Sequence, residues 1–154
     1  MHVQLAGRLA RRGNEPLGEH CPIDVAVQAV GTRSAILLLR EAYYGATRFD
    51  DFAARSGLTE ATTAGRLKAL VEQGVLEKLP YQEPGQRKRY EYKLTASGEA
   101  LMPVVFALAQ WSNEHQAAAA PIKLSHSGCD APVTIKAECS EGHAVEMDQL
   151  IVTS

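Results

Sequence analysis

The stretch FDDFAARSGLTEATTAGRLKALVEQG, Phe49 to Gly74, constrains the fold more than any other. It holds two short amphipathic patterns separated only by Ser56-Gly57-Leu58. Arg48 to Arg55 reads as a helix with Phe49, Phe52 and Ala53 turned inward, because apolar residues three and four apart share one helical face. Gly57 supplies the turn, since a residue without Cβ enters left-handed backbone at little cost. Thr59 is an N-cap for a second helix that runs to about Gln73, where Gly74 stops it. That helix is expected to bury Ala64, Leu67, Leu70 and Val71, leaving Thr59, Glu60, Thr62, Thr63 and Arg66 outside.

The flanks extend the pattern. Val75 to Pro80 and Lys88 to Leu94 alternate as strands around a Glu83-Pro84-Gly85-Gln86 loop. Upstream, Pro22 places Cys21 in extended or turn backbone at a helix entry. Ile23 to Val30 reads as a short helix, broken by Gly31; Thr32 caps a central helix, Ser34 to Tyr44, that is apolar on most of its circumference. Thr95 caps a long helix to about His115, with an inward stripe of Leu101, Val104, Val105, Leu108 and Trp111 and a slight bend expected at Pro103. Ala117 to Pro121 reads as a linker, and Val133 to Glu138 and Ala144 to Val152 as two strands of a terminal unit. The expected fold is mainly α with small β (α+β), a winged helix-turn-helix with a long C-terminal helix and a small β-hairpin tail. The expected division is a flexible arm over 1–20, a winged helix-turn-helix domain over 21–116, and a linker with a small β appendage over 117–154.

A helix-turn-helix followed by a hairpin suits duplex DNA. The outer face of the second helix fits the major groove, where short hydroxyls reach phosphates or bases and Arg66 forks onto guanine or a phosphate. The hairpin tip carries Arg87, Lys88 and Arg89, and Arg48 joins the cationic set at the start of the first helix. A net charge of −2 argues against a nucleic-acid partner. From His126 onward, however, five carboxylates face Lys136 alone, which leaves the rest of the chain at net +2 and able to present a basic face.

Other classes fare worse. The run Ala35 to Leu39 is too short to span a bilayer, and Met1 to Ala10 lacks the continuous apolar core of a signal peptide. Three cysteines are an odd number for a disulfide framework and fit a reducing compartment, so a cytoplasmic protein without a membrane partner is expected. No nucleophile–base pair, phosphate loop or paired catalytic carboxylates argue for an enzyme. The alternative is a winged-helix protein-interaction module without specific DNA binding, favoured by the net acidity and by Glu60 on the reading helix.

From Cys21 to Trp111 the chain resembles the HxlR-type winged-helix transcriptional regulators. The residues that carry the resemblance are Cys21-Pro22, Leu38 to Glu41, Gly45 with Arg48-Phe49 and Phe52, Arg66 to Leu70, Gly74 to Leu76, Tyr92 to Thr95 with Gly98, and Leu101 to Trp111. One departure is Thr32-Arg33-Ser34, where members commonly carry Gly-Lys-Trp. The resemblance implies a sequence-specific DNA-binding regulator, a repressor or activator. It also implies a homodimer joined by the N-terminal segment and the long helix, with Val104, Leu108 and Trp111 at the seam. A twofold dimer matches a palindromic double-stranded operator. The resemblance further suggests Cys21 as a redox or electrophile sensor, and hence a small-molecule or oxidant effector.

The tail adds a separate expectation. His126 and Cys129 are spaced H-x2-C, and Cys139 and His143 are spaced C-x3-H. Two such knuckles supply the ligand types and number of a structural zinc site, although the spacing is not that of a standard finger. A metal-free β appendage is the other reading.

Overall fold

The computed structural model describes residues 2–17, 21–116 and 120–154. In chain order its elements are β1 (Gln4–Leu5), α1 (Pro22–Val30), α2 (Arg33–Tyr43), α3 (Phe49–Ser56), α4 (Glu60–Glu72), β2 (Leu76–Tyr81), β3 (Arg89–Leu94), α5 (Ala96–Ala100), α6 (Met102–His115) and β4 (Ile151–Val152). Short hydroxyl residues set three helix starts. Thr32 accepts the Ala35 N–H at 3.2 Å, Thr59 that of Thr62 at 3.2 Å, and Thr95 that of Gly98 at 3.1 Å. Each bond satisfies one of the amides a helix N-terminus leaves free. Gly57 ends α3 with φ at 67°, and that left-handed residue lets α4 start within three residues.

The core forms where α2, α3, α4 and the start of β2 meet. Leu38, Leu39, Phe52, Leu67, Leu70 and Leu76 are fully buried there. Burying each such side chain stabilises the fold by roughly 1.5–3 kcal/mol before entropy is counted. β2 and β3 pair antiparallel, in register from Leu76 opposite Leu94 to Tyr81 opposite Arg89. The Phe52 ring stands edge-on to Tyr92 with centroids 6.1 Å apart, which seats the hairpin on the core. A bridge between Arg48 and Glu91 and a 2.7 Å bond from the Tyr92 N–H to the Thr47 carbonyl attach the hairpin base to the segment before α3.

Two parts differ from the sequence reading. The helix expected from Thr95 to His115 is two helices, parted at Leu101, with Pro103 in the first turn of α6. A proline is tolerated there because its missing N–H would have had no partner. The expected tail hairpin is cut down to one antiparallel bridge, Glu138 with Ala144, flanked by bonds from the Val145 N–H to the Ala137 carbonyl and from the Cys139 N–H to the His143 carbonyl, each at 3.0 Å. A second single bridge joins Ser125 to Pro132, and a 3-10 turn spans Met147–Gln149. β4 instead pairs in parallel with β1, so the arm expected to be loose is pinned: the Gln4 and Ala6 N–H groups each meet a tail carbonyl at 2.9 Å. Residues 117–119 of the expected linker lie outside the described residues. Beyond it the tail lies along α6, where Gln110 accepts the Ile135 N–H at 2.8 Å and Asn113 that of Ile122 at 3.2 Å.

The junction between wing and α5 has no spare room. Gly98 is buried; its carbonyl accepts the Tyr43 hydroxyl at 2.6 Å, and burial pushes that phenol's pKa up, so it remains a donor. A Cβ at Gly98 would stand well inside contact distance of the Val75 carbonyl oxygen and 3.0 Å from Leu94 Cδ2. Gly98→Ala is therefore expected to lower stability by about 1–3 kcal/mol, read as a fall in the urea unfolding midpoint with an unchanged slope.

Candidate nucleic-acid interface

The outer face of α4 differs from the one the sequence suggested. Thr63 is fully buried beside Leu67 and Leu70, whereas Ala64 is exposed. The helix is thus rotated by about one position, and Thr63 is not on the outer face where the sequence reading put it. Its hydroxyl is buried without a hydrogen-bond partner. A threonine matches valine in shape, so packing selects this rotation and tolerates the unpaired oxygen. Thr59, Glu60 and Thr62 do stay exposed, joined by Ala61, Ala64, Gly65 and Lys68. The Thr59 hydroxyl donates to that of Thr62 at 2.9 Å, which leaves the Thr62 proton free for an outside acceptor. Arg66 sits on the flank of the helix, half-buried, with its Nε buried and unpartnered.

Gly65 is the residue that sequence reasoning missed. It lies in the middle of α4, and a Cβ there would meet nothing within 4 Å. Glycine inside a helix costs about 1 kcal/mol relative to alanine, and no contact within the chain explains it. With Ala61 and Ala64 it forms a low surface that a groove wall or phosphate backbone could approach closely. The signal in the sequence was an uncapped mid-helix glycine.

The wing supplies the charge. Arg87, Lys88 and Arg89 are exposed, and among the described residues none pairs with a carboxylate. The tip is shaped by a bond from the Gln86 N–H to the Glu83 carbonyl at 2.9 Å and one from Gln82 Nε2 to the Gln86 carbonyl at 3.0 Å. Lys78 Nζ lies 4.4 Å from the centre of the Tyr90 ring. Arg48, immediately before α3, is half-exposed but engaged. Its Nη2 meets Glu83 Oε1 at 2.9 Å, and its guanidinium lies 4.9 Å over Tyr81.

A second surface is apolar. Val104, Leu108 and Trp111 follow one stripe of α6 and are each about half exposed, whereas Val105 is buried. The tail bonds to Gln110 and Asn113 on the opposite side and does not cover this stripe. On α1, Ile23, Val25 and Val27 are exposed as well, Ile23 at 74 %. Of the residues read as inward-facing on the long helix, only Val105 and partly Leu101 turn into the core.

The cysteine expectations fare unevenly. Cys21 is half-buried at the start of α1, and its carbonyl accepts the Val25 N–H at 3.0 Å; its neighbour His20 lies outside the described residues. In the tail, His126 Nδ1 and Cys129 Sγ stand 3.3 Å apart. Cys139 and His143 do not join them: among the described residues, no three His, Cys, Asp or Glu side chains converge as a metal site requires. The knuckle at Cys139 closes on itself instead, and backbone amides, that of His143 foremost and then Glu141, hold the thiol's pKa below its usual value.

Comparison with known proteins agrees with this architecture. Residues 29–120 match the HxlR-like helix-turn-helix family, and the chain belongs to it. It is 36% identical over 121 residues to the HTH-type transcriptional regulator Rv3095 of Mycobacterium tuberculosis, covering 75% of each chain. Among solved structures it is similar to the putative transcription factor PA1607, at 30% identity and a TM-score of 0.73, covering 84% of this chain and 91% of that one. It is also similar to PA1374 from Pseudomonas aeruginosa, at 34% identity and a TM-score of 0.63, covering 87% and 92%. The class so defined is a winged-helix transcriptional regulator, not an enzyme. No single helix is long and apolar enough to cross a membrane.

The buried hydroxyl of Thr63 separates packing from contact. Thr63→Val removes an unpaired buried oxygen at constant shape and is expected to raise stability by about 1 kcal/mol. DNA affinity, measured on the same preparation by fluorescence anisotropy, should not change.

Proposed function

We propose that this protein regulates transcription by binding double-stranded operator DNA as a homodimer. Support comes from one observation above all: a small, uncharged stretch of α4 from Ala61 to Gly65 leads, through β2, to a wing whose Arg87, Lys88 and Arg89 have no carboxylate partner among the described residues. α4 enters the major groove, with Thr62 and Lys68 on phosphates or base edges and Arg66 at the flank. Thr59 caps the helix, and Glu60 tunes its N-terminal end. The wing cations lie along the phosphates and release counterions. Arg48 contributes from the start of α3.

The dimer forms through the exposed apolar faces of α1 and α6. The stripe of Val104, Leu108 and Trp111 on α6, and Ile23 and Val27 on α1, are exposed apolar surface of the kind a second copy covers. Twofold pairing would present two copies of α4 to half-sites about one helical turn apart. The place of action is the cytoplasm, where such DNA is found.

The deciding measurement is anisotropy of a labelled duplex from the region beside the protein's own coding sequence, with and without excess mixed-sequence competitor. Binding that survives the competitor is expected. Loss of all binding at low salt would leave the protein-interaction alternative. Arg87→Ala should weaken every duplex alike and reduce the slope of log affinity against log salt by about 0.9. Leu108→Glu places a charge in the seam and should yield a monomer in sedimentation velocity, with a fold unchanged by circular dichroism.

A further inference from the structure

Among the described residues, the Arg48–Glu83 pair is the ion pair that joins the helix-turn-helix to the wing. Arg48 precedes α3, and Glu83 lies in the wing loop, with side chains 50% and 53% exposed. The wing does not need this pair for its position. The β2–β3 ladder, the Arg48–Glu91 bridge and the Tyr92–Thr47 backbone bond already set it, and an ion pair so open to water adds little to stability. The pair nevertheless has a consequence for binding. The Arg48 guanidinium is directed by the Tyr81 ring beneath it and by the carboxylate at 2.9 Å, so a planar two-oxygen anion occupies the place that a phosphate would take.

We infer that Glu83 is an internal competitor for DNA phosphate: it clasps Arg48 in the free protein, and a phosphate must displace it for Arg48 to contact DNA. The inference rests on the DNA-binding reading above. The exchange conserves charge. Arg48 gives up a carboxylate and gains a phosphodiester, and the released carboxylate returns to water. In the wild-type chain the pair therefore contributes no net cation to the duplex, whereas a freed Arg48 contributes one. The clasp thus restrains non-specific electrostatic binding, because only a site that fits α4 as well supplies enough affinity to open it.

Arg87, Lys88 and Arg89 differ in this respect, having no carboxylate partner among the described residues, and Lys93 pairs with Glu91 at 2.8 Å on its own strand. Among the described ion pairs, only that of Arg48 crosses from the helix-turn-helix to the wing.

The test is a four-protein cycle, wild type, Glu83→Gln, Arg48→Ala and the double variant, titrated by anisotropy against a labelled mixed-sequence duplex over a range of salt. With Arg48 present, Glu83→Gln is expected to tighten binding about three- to tenfold and to steepen the salt slope by about 0.9. In the Arg48→Ala background the same change should give a clearly smaller gain and leave the slope nearly unaltered. An equal gain in both backgrounds would mean simple removal of a repelling charge and would overturn the clasp. A loss of affinity in Glu83→Gln would overturn it too, making Glu83 a support of the wing. Absence of binding by all four proteins at low salt would instead remove the DNA-binding reading itself.

Discussion

The packing of α3 and α4 against Leu38 and Leu39 of α2 is the contact on which the rest depends. Phe52, Leu67 and Leu70 enter one shared core, and the left-handed Gly57 allows two helices to reach it within a three-residue turn. Once α4 is seated on its Leu67–Leu70 edge, its outer face follows without further choice. The same core receives Leu76 at the start of β2, so the wing leaves the domain at an angle set by apolar burial. Helix, turn and hairpin are in this sense one packing unit.

In the proposed DNA interface that unit is economical in side chains. The exposed stretch of α4 is low, carrying alanines, a glycine and threonine hydroxyls, and the charge is placed on the wing. One basic side chain at the seam, Arg48, is held by the wing's own Glu83. A surface built this way has shape complementarity in its middle and electrostatic attraction at its edge, which separates recognition from attraction. Five of the acidic residues lie in the tail from His126 onward, whose backbone is held by Gln110 of α6, so the rest of the chain carries net positive charge.

α6 works on two sides. Gln110 and Asn113 bind tail backbone, whereas Val104, Leu108 and Trp111 remain open on the other. Residues at positions 106, 110 and 113 lie about half a turn from those at 104, 108 and 111, so one helix holds its own tail and still offers an apolar stripe. The β1–β4 pair then draws the arm to the tail's end, a link between residues nearly the full chain length apart.

Much of this was legible locally. Thr32, Thr59 and Thr95 as caps, Gly57 and Gly74 as stops, and the alternation of both wing strands are signals that neighbouring residues carry themselves, and the family membership follows from their order. What the sequence by itself determined was therefore the elements from α1 to β3, their order along the chain and the class of protein. Tertiary structure alone decided the rotation of α4, because threonine and alanine are both small enough to be buried or exposed, and only the shape of the core between α2 and α3 chose Thr63. It also decided that Arg48 meets Glu83 and that β4 pairs with β1. Each is a meeting of residues distant in the chain, fixed by how the pieces pack and not by any local preference.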